Sequence, residues 1–99
     1  MVVVHARFRL KPGSHAAFAR LRDPMVAATR AEAGCTSYAV YGASEDRDEV
    51  LFVEEWTSRA ALEAHFVTPH FGAFVAAMGA IATRPPEVRI YAATGVEVK

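Results

Sequence analysis

Apolar and polar residues alternate over the first ten positions of the chain. Val2, Val4, Ala6, Phe8 and Leu10 fall on one side, and Val3, His5, Arg7 and Arg9 fall on the other. A period of two residues is typical of a β-strand that buries one face. The pattern therefore predicts a strand over 2–10, which the Lys-Pro-Gly turn at 11–13 ends.

The pattern then changes to a helical period between His15 and Ala33. Ser14 precedes it as the expected N-cap, and Gly34 is the expected stop after it. Pro24 lies inside this segment. Because proline lacks a backbone N–H and clashes with the preceding turn, we expect it to kink or divide the helix.

Two further strands are predicted at 35–41 and 49–57, separated by a polar turn at 43–48. Their proximity predicts a hairpin. Within the second of them, Leu51 and Val53 alternate with Phe52 and Trp56, so both faces of this strand are largely apolar.

The second helical region is interrupted by a proline. Ser58 is the expected cap of a short helix over 59–66. Thr68 and Pro69 form an N-cap followed by proline at the first helical position, which predicts another helix to about Ala82. The last predicted strand covers 88–93.

This order, β-α-β-β-α-β, predicts a single α+β domain over 1–99 with a ferredoxin-like fold. Its four-stranded antiparallel sheet would carry helices on one face only. Because the third strand is apolar on both sides, the uncovered face predicts a homodimer in which a second copy covers it.

Composition narrows the possible partners and locations. The 99 residues are 53% apolar and carry 11 basic and 11 acidic side chains, with no basic face of the kind that binds nucleic acid. Cys35 is the only cysteine, which fits a reducing, cytoplasmic compartment. The longest apolar stretch, 71–82, is too short to cross a membrane, so no membrane association is expected.

Four short segments resemble a known family. The sequences KPG at 11–13, GCTSY at 34–38, VEEW at 53–56 and LEAHFVTPHF at 62–71 are similar to the antibiotic biosynthesis monooxygenase family, and most of all to its small quinol monooxygenases. The resemblance implies the same ferredoxin-like unit, paired into a dimeric α/β barrel. Members of the family include quinol and anthrone oxygenases, haem-degrading enzymes and a sugar-phosphate isomerase.

Two histidines stand five residues apart in the last of these segments. His65 shares a helix side with Leu62 and Phe66, so we expect it to turn inward, either as a packing residue or as a proton acceptor at a cavity rim. His70 begins the next helix, where a neutral ring is favoured for capping or for hydrogen bonding. The intervening proline removes the i, i+4 register of a helical metal pair, so no metal site is predicted.

Glu54 shares its strand face with Phe52 and Trp56. A carboxylate between two aromatic rings must be paired or protonated, or must lie at a wet cavity edge. A contact with His65 would supply the pairing and would orient the imidazole. Trp56 is expected either in the core or in an aromatic cavity wall, and Tyr38 on the neighbouring strand is a candidate of the same kind.

The sequence contains no glycine-rich nucleotide-binding loop and no metal triad, so an oxygenase of this kind would need no cofactor. The resemblance implies a small aromatic hydroquinone or anthrone that reacts with O₂ once a base has deprotonated it. The expected catalytic residues are His65, as the base, and Glu54, as its partner. The residues expected to bind the substrate are Trp56, Tyr38, Phe66, His70 and Phe74.

Three alternatives remain open. Haem degradation is disfavoured because Phe74 or Val75 stands near the place of the axial histidine, and Ala6 stands where haem-degrading relatives carry an asparagine. An isomerase of sugar phosphates would need a cationic anchor on the core face, which the sequence does not show. A dimer that only binds a small ligand, or is purely structural, is the third.

Overall fold

The computed structural model describes residues 1–99 as four strands and three helices in the predicted order. The elements are β1 Val2–Arg9, α1 His15–Arg30, β2 Cys35–Gly42, β3 Glu49–Trp56, α2 Arg59–Phe66, α3 Pro69–Met78 and β4 Glu87–Ala92. The strands form one sheet in the order β2-β3-β1-β4, and every neighbouring pair is antiparallel. This confirms the ferredoxin-like α+β fold, in which the hairpin β2–β3 and the strand β4 flank β1.

The alternation read from the sequence sets the two faces of the sheet. In β1 and β3 every second residue is buried, and the register pairs Val4 with Glu54 and Ala6 with Phe52 on the helix-covered face. The core between this face and the helices contains Phe18 and Met25 of α1, Leu62 of α2 and Phe74 and Met78 of α3. No helix is both long and apolar enough to cross a membrane.

Two predictions for α1 are wrong, namely that Pro24 divides the helix and that it extends to Ala33. The helix runs unbroken through Pro24 and ends at Arg30 rather than Ala33. A proline removes only one backbone hydrogen bond, and the burial of Met25 and Val26 directly after it holds the helix on the sheet. Ser14 occupies the N-cap position, but its side chain makes no capping bond.

The third helix also ends earlier than predicted, at Met78 rather than near Ala82. The chain turns there and joins the end of β1, where Leu10 and Ala82 form an isolated β-bridge. The Lys11 N–H donates to the Ile81 carbonyl at 2.7 Å, and the Thr83 N–H donates to the Arg9 carbonyl at 2.9 Å. These sheet-like bonds replace the last helical turn.

The breaks around α2 are where the sequence predicted them. The Ser58 hydroxyl accepts the Ala61 N–H at 3.1 Å and the Thr68 hydroxyl accepts the Phe71 N–H at 3.3 Å, which confirms both caps. Pro69 is in the first turn of α3, where its missing N–H costs nothing. The short α2 can therefore take its own angle and place His65 against the sheet.

Gly34 does not end α1. It lies in the α1–β2 loop, at the point where this loop packs against α2. Its φ of +84° is in the left-handed region that favours glycine. A Cβ atom at this position would come within 2.6 Å of the Ala61 Cβ and 2.8 Å of the Thr57 hydroxyl. Only a residue without a side chain lets the loop, including Glu32, lie this close to α2.

Candidate active site

Glu54 is a carboxyl group buried among aromatic side chains on β3. It is 5% exposed, and its one side-chain hydrogen bond is accepted from the Trp56 indole N–H, at 3.0 Å. Burial raises the pKa of Glu54 to about 7, against the lowering effect of the Trp56 bond, and the nearby charge of Glu32 adds to the rise. This carboxyl can therefore hold or release a proton near neutral pH.

His65 is completely buried on α2. Its Nδ1 lies 2.7 Å from Oε2 of Glu32, while its Nε2 is buried without any hydrogen-bond partner. The imidazole packs against the rings of Trp56 and Phe71, with ring centroids 4.9 and 4.7 Å away. Burial lowers the pKa of His65, although the bond to Glu32 acts in the opposite direction. A lowered pKa keeps the ring neutral at pH 7.

The predicted contact between Glu54 and His65 is wrong, because the carboxylate that meets His65 is Glu32. The same Glu32 oxygen also lies 2.7 Å from Nε2 of His70, so that one carboxylate joins both histidines. Glu32 lies 33 residues before His65, in the loop after α1. The sequence holds no local signal for this pairing, since only the close approach at Gly34 brings the loop to α2.

A small cavity lies between the core face of the sheet and helices α2 and α3. It has a volume of about 60 Å³. Its twelve lining residues are Val4, Ala6, Phe8, Tyr38, Phe52, Glu54, Phe66, Phe71, Phe74, Val75, Pro86 and Val88. Glu54 is the only one of them that carries a carboxyl group, and none is a lysine or arginine.

The structure brings together only part of the predicted site. Glu54, Tyr38, Phe66 and Phe74 line the cavity. Trp56 does not line it and is fully buried, which makes it a core residue that supports Glu54. His65 and His70 do not line it either. The sequence reasoning missed Phe8, Phe52 and Phe71, although the alternation in β1 and β3 places the first two on the correct face.

One layer of aromatic rings separates His65 from the cavity. Tyr38, Phe66 and Phe71 line the cavity on one side and pack against the imidazole on the other, with centroids 5.7, 6.0 and 4.7 Å from it. Phe66 is 36% exposed, so this wall is open to solvent in part. Movement of Phe66 and Phe71 would enlarge the cavity toward His65.

An open pocket of about 330 Å³ adjoins the cavity at the end of α3. The two spaces share Phe8, Val75 and Pro86 in their walls. Arg84 is the one charged residue that lines the outer pocket. This pocket offers a small molecule a second approach from solvent toward the cavity.

Glu32, His65 and His70 form the kind of cluster that could hold a metal ion. Their donor atoms all lie within 4.8 Å of one another, and Glu32 supplies the third ligand that the local sequence lacks. However, both nitrogens are 2.7 Å from the same carboxylate oxygen, whereas ligands about 2.0–2.1 Å from a tetrahedral metal lie about 3.3 Å apart. Coordination through Nδ1 would also leave a protonated Nε2 buried without an acceptor. The arrangement fits hydrogen bonds better.

Comparison with known proteins decides the family. The model of the family described as antibiotic biosynthesis monooxygenase matches residues 1–77. The chain belongs to this family. Its fold agrees with that of a solved family relative, the Mycobacterium tuberculosis protein Rv0793, at a TM-score of 0.90 with 98% of each chain covered and 36% identity.

Two of the curated proteins to which the chain is similar are named as monooxygenases. The M. tuberculosis protein named "Putative monooxygenase Rv0793" is 41% identical over 91 residues, which cover 92% of this chain and 89% of that one. The Escherichia coli protein named "Probable quinol monooxygenase YgiN" is 36% identical over 84 residues, covering 75% and 81%. A Synechocystis protein, sll1783, is 36% identical over 90 residues, which span 61% of its length and 91% of this chain.

Proposed function

We propose that the protein is a cofactor-independent monooxygenase that oxidises a small aromatic hydroquinone or anthrone with O₂. The observation that carries the proposal is the position of Glu54, a carboxyl with a pKa raised to about 7 by burial, in the wall of an otherwise apolar cavity. The unpaired Nε2 of His65 lies behind the facing aromatic wall. The names of the similar proteins Rv0793 and YgiN point to the same class of reaction.

The two titratable groups suit opposite roles. Burial lowers the pKa of His65, so its ring is neutral at pH 7 and Nε2 can accept a proton. Burial raises the pKa of Glu54 to about 7, so a substantial fraction is protonated and can donate. Two groups whose environments move their pKa values in opposite directions form an acid–base pair. His65 is the base in this assignment and Glu54 is the acid.

Substrate entry requires the aromatic wall to move. A cavity of about 60 Å³ is far below the roughly 300 Å³ at which ligand pockets begin, so it holds O₂ or water but no substituted ring. Phe66 and Phe71 are the residues to displace, because Phe66 is half-exposed and both lie between the cavity and His65. The same movement makes room for the substrate ring and lets the substrate hydroxyl group reach Nε2 of His65.

The reaction then proceeds on the substrate itself. His65 takes the hydroxyl proton, and the resulting phenolate passes one electron to O₂, which gives superoxide and a substrate radical. Their combination forms a C–O bond, and Glu54 protonates the distal oxygen to a hydroperoxide. The distal OH of the hydroperoxide and the hydrogen on the same carbon then leave together as water. This step breaks the O–O bond and leaves a carbonyl group on the ring. Proton transfer from His65 to Glu54 restores both groups.

The cavity walls serve this chemistry by excluding water. Ten of the twelve lining residues are hydrophobic, and the aromatic side chains of Phe52, Phe71 and Phe74 surround the reacting ring. A dry cavity keeps the superoxide and the substrate radical together until they combine. No cation is available there to hold a sugar phosphate, which disfavours the isomerase alternative.

A second copy of the chain covers the outer face of the sheet in this proposal. That face carries Val3, His5, Leu51 and Val53, which are only half-buried, and Tyr91, which is 43% exposed. The His5 and Tyr91 rings already pack edge to face, with centroids 5.2 Å apart. The same face also carries charged residues such as Arg7 and Glu55. An apolar patch bordered by charged side chains, on so short a chain, is typical of an interface between subunits.

Oxygen consumption tests the function directly. The purified protein, treated with a chelator, is mixed with hydroquinones and anthrones in air-saturated buffer. We expect one O₂ consumed per substrate and one atom of ¹⁸O from ¹⁸O₂ in the product. A dependence on added metal, flavin or haem would contradict the proposal. So would tight binding of these ring systems without any O₂ consumption, which would identify a ligand-binding dimer instead.

A further inference from the structure

The carboxylate of Glu32 has no part in the acid–base pair, yet it makes the shortest contacts around His65. Its Oε2 lies 2.7 Å from Nδ1 of His65 and 2.7 Å from Nε2 of His70. The His65 side chain is 1% exposed, that of Glu32 14% and that of His70 26%. The three groups thus form a chain from the buried base to the surface, and they come from three different elements.

We propose that Glu32 is a positioning residue that fixes the tautomer and orientation of His65, and that His70 holds Glu32 in place. The inference rests on the proposed function, in which Nε2 of His65 accepts the substrate proton. It assigns roles to two residues outside the cavity, both of which act through another side chain.

The tautomer follows from what a carboxylate can accept. An ionised carboxylate has acceptors only, so the 2.7 Å contact is a hydrogen bond when Nδ1 of His65 carries the proton. Nε2 is then the bare nitrogen. The opposite tautomer would set two lone pairs against each other at 2.7 Å and would leave the Nε2 proton buried without an acceptor. Both penalties favour the tautomer that a base needs.

Glu32 also prepares the site for the charge that the base acquires. After Nε2 takes a proton, His65 is an imidazolium in a completely buried position, which is costly without a counter-charge. A carboxylate already in place at 2.7 Å offsets that cost without any rearrangement. This stabilisation arises only in the charged state, so it should act on turnover rather than on substrate binding.

His70 restrains Glu32 from the other side. It lies at the start of α3, and its Nε2–H can donate to the Glu32 oxygen that is 2.7 Å away. Two donors on one oxygen, from α2 and from α3, leave the carboxylate little freedom to rotate away. The backbone at Gly34 fixes the third side, because the loop there lies against Ala61.

The tautomer of His65 can be measured by NMR without an activity assay. We would record ¹⁵N spectra of the four histidines in the full-length protein at pH 8, with each assigned by substitution. In wild type, we expect His65 with a protonated Nδ1 and an unprotonated Nε2. In Glu32→Gln, the signals of His65 should shift toward a mixture of tautomers, because an amide can donate as well as accept. A matched change at Glu63→Gln, on the exposed side of α2, should leave them unchanged.

Kinetics then separate a positioning role from a structural one. Glu32→Gln should lower kcat on the order of 10²-fold with little change in KM. Glu32→Asp, which keeps the charge but shortens the reach, should recover part of the loss. His70→Ala should lower kcat several-fold, and Glu63→Gln should match wild type. Circular dichroism and thermal unfolding of each variant confirm that it is folded.

The result that would overturn the inference is visible in wild type alone, so it does not depend on whether a variant folds. A protonated Nε2 on His65, or a stoichiometric metal ion bound through its Nδ1, would do so. Wild-type kcat in a folded Glu32→Gln would also contradict it. If wild type oxidises no hydroquinone but shows the expected tautomer, the proposed function fails while the positioning of His65 by Glu32 stands.

Discussion

Trp56 donates its indole N–H to Glu54 across 3.0 Å, from two residues further along the same strand face. His65 also packs against this indole, with ring centroids 4.9 Å apart. The tryptophan therefore supports both proposed catalytic groups without touching the cavity. Trp56 is completely buried, so it is a core residue. Its hydrogen bond to Glu54 still connects it to the proposed acid.

We expect Trp56→Phe to raise the pKa of Glu54 above its value of about 7, because the Trp56 bond is the interaction that lowers it. The change also leaves a buried acceptor unpaired and a void in the core, at a cost of about 2–4 kcal/mol in the free energy of unfolding. Infrared titration of the Glu54 carboxyl and urea unfolding measure the two effects. An unchanged pKa would show that burial alone sets it.

Glu54 should make the protein less stable as the pH rises. Its folded pKa is raised from 4.5 to about 7, so the folded state binds more protons than the unfolded state between those values. Stability from this group is complete below pH 4.5 and is lost as the pH passes 7, a difference of about 3 kcal/mol.

The matched variant for this effect is Glu54→Gln, whose amide oxygen can still accept the Trp56 N–H. Its unfolding free energy should lack the decline, so that it exceeds that of wild type at pH 8 and approaches it at pH 4.5. Urea unfolding across this range gives both curves. The lowered pKa of His65 acts with the opposite sign, but it is common to both proteins. If the two curves run parallel, the pKa of Glu54 is not raised in the folded protein.

The rate should depend on pH in a bell shape. Turnover should fall on the acid side as His65 gains a proton, with a midpoint below the ordinary imidazole value because burial lowers the pKa of His65. It should fall again as Glu54 loses its proton near pH 7. Glu54→Gln should remove the alkaline limb and His65→Ala should lower turnover by about 10²–10⁴-fold. His15→Ala, at a histidine of α1 outside the site, is the control.

Much of this fold could be predicted because short-range patterns determine it. The alternation in β1 and β3 specifies which residues face the helices, and the Ser58 and Thr68 caps mark the ends of α2. The failures have long-range causes. Glu32 meets His65 across 33 residues through the loop at Gly34, and α3 ends early because Ala82 pairs with Leu10. No period or motif in the sequence encodes either contact.

Removing the aromatic wall should change substrate selection. Phe66→Ala enlarges the cavity from about 60 Å³ without emptying the core, since Phe66 is 36% exposed. We expect KM to fall for substituted hydroquinones and product yield to drop as water enters. Val67→Ala, at a neighbouring side chain that is 83% exposed, should change neither. If the KM values for the substituted hydroquinones are the same in the two variants, Phe66 does not control access to the cavity.

The uncovered sheet face leads to the last prediction. Val53 lies at its centre, opposite His5 on β1 and Ala39 on β2, and it is half-buried on the sheet face opposite the helices. Val53→Lys would place a charge in the proposed subunit interface and should shift the protein from dimer to monomer in sedimentation equilibrium. Val67→Lys makes the same substitution outside the sheet, at a residue after α2 that is 83% exposed, and it should leave the dimer intact. A wild-type protein that sediments as a folded monomer at micromolar concentration would contradict the dimer. A dimer that survives Val53→Lys unchanged would place the interface on another surface.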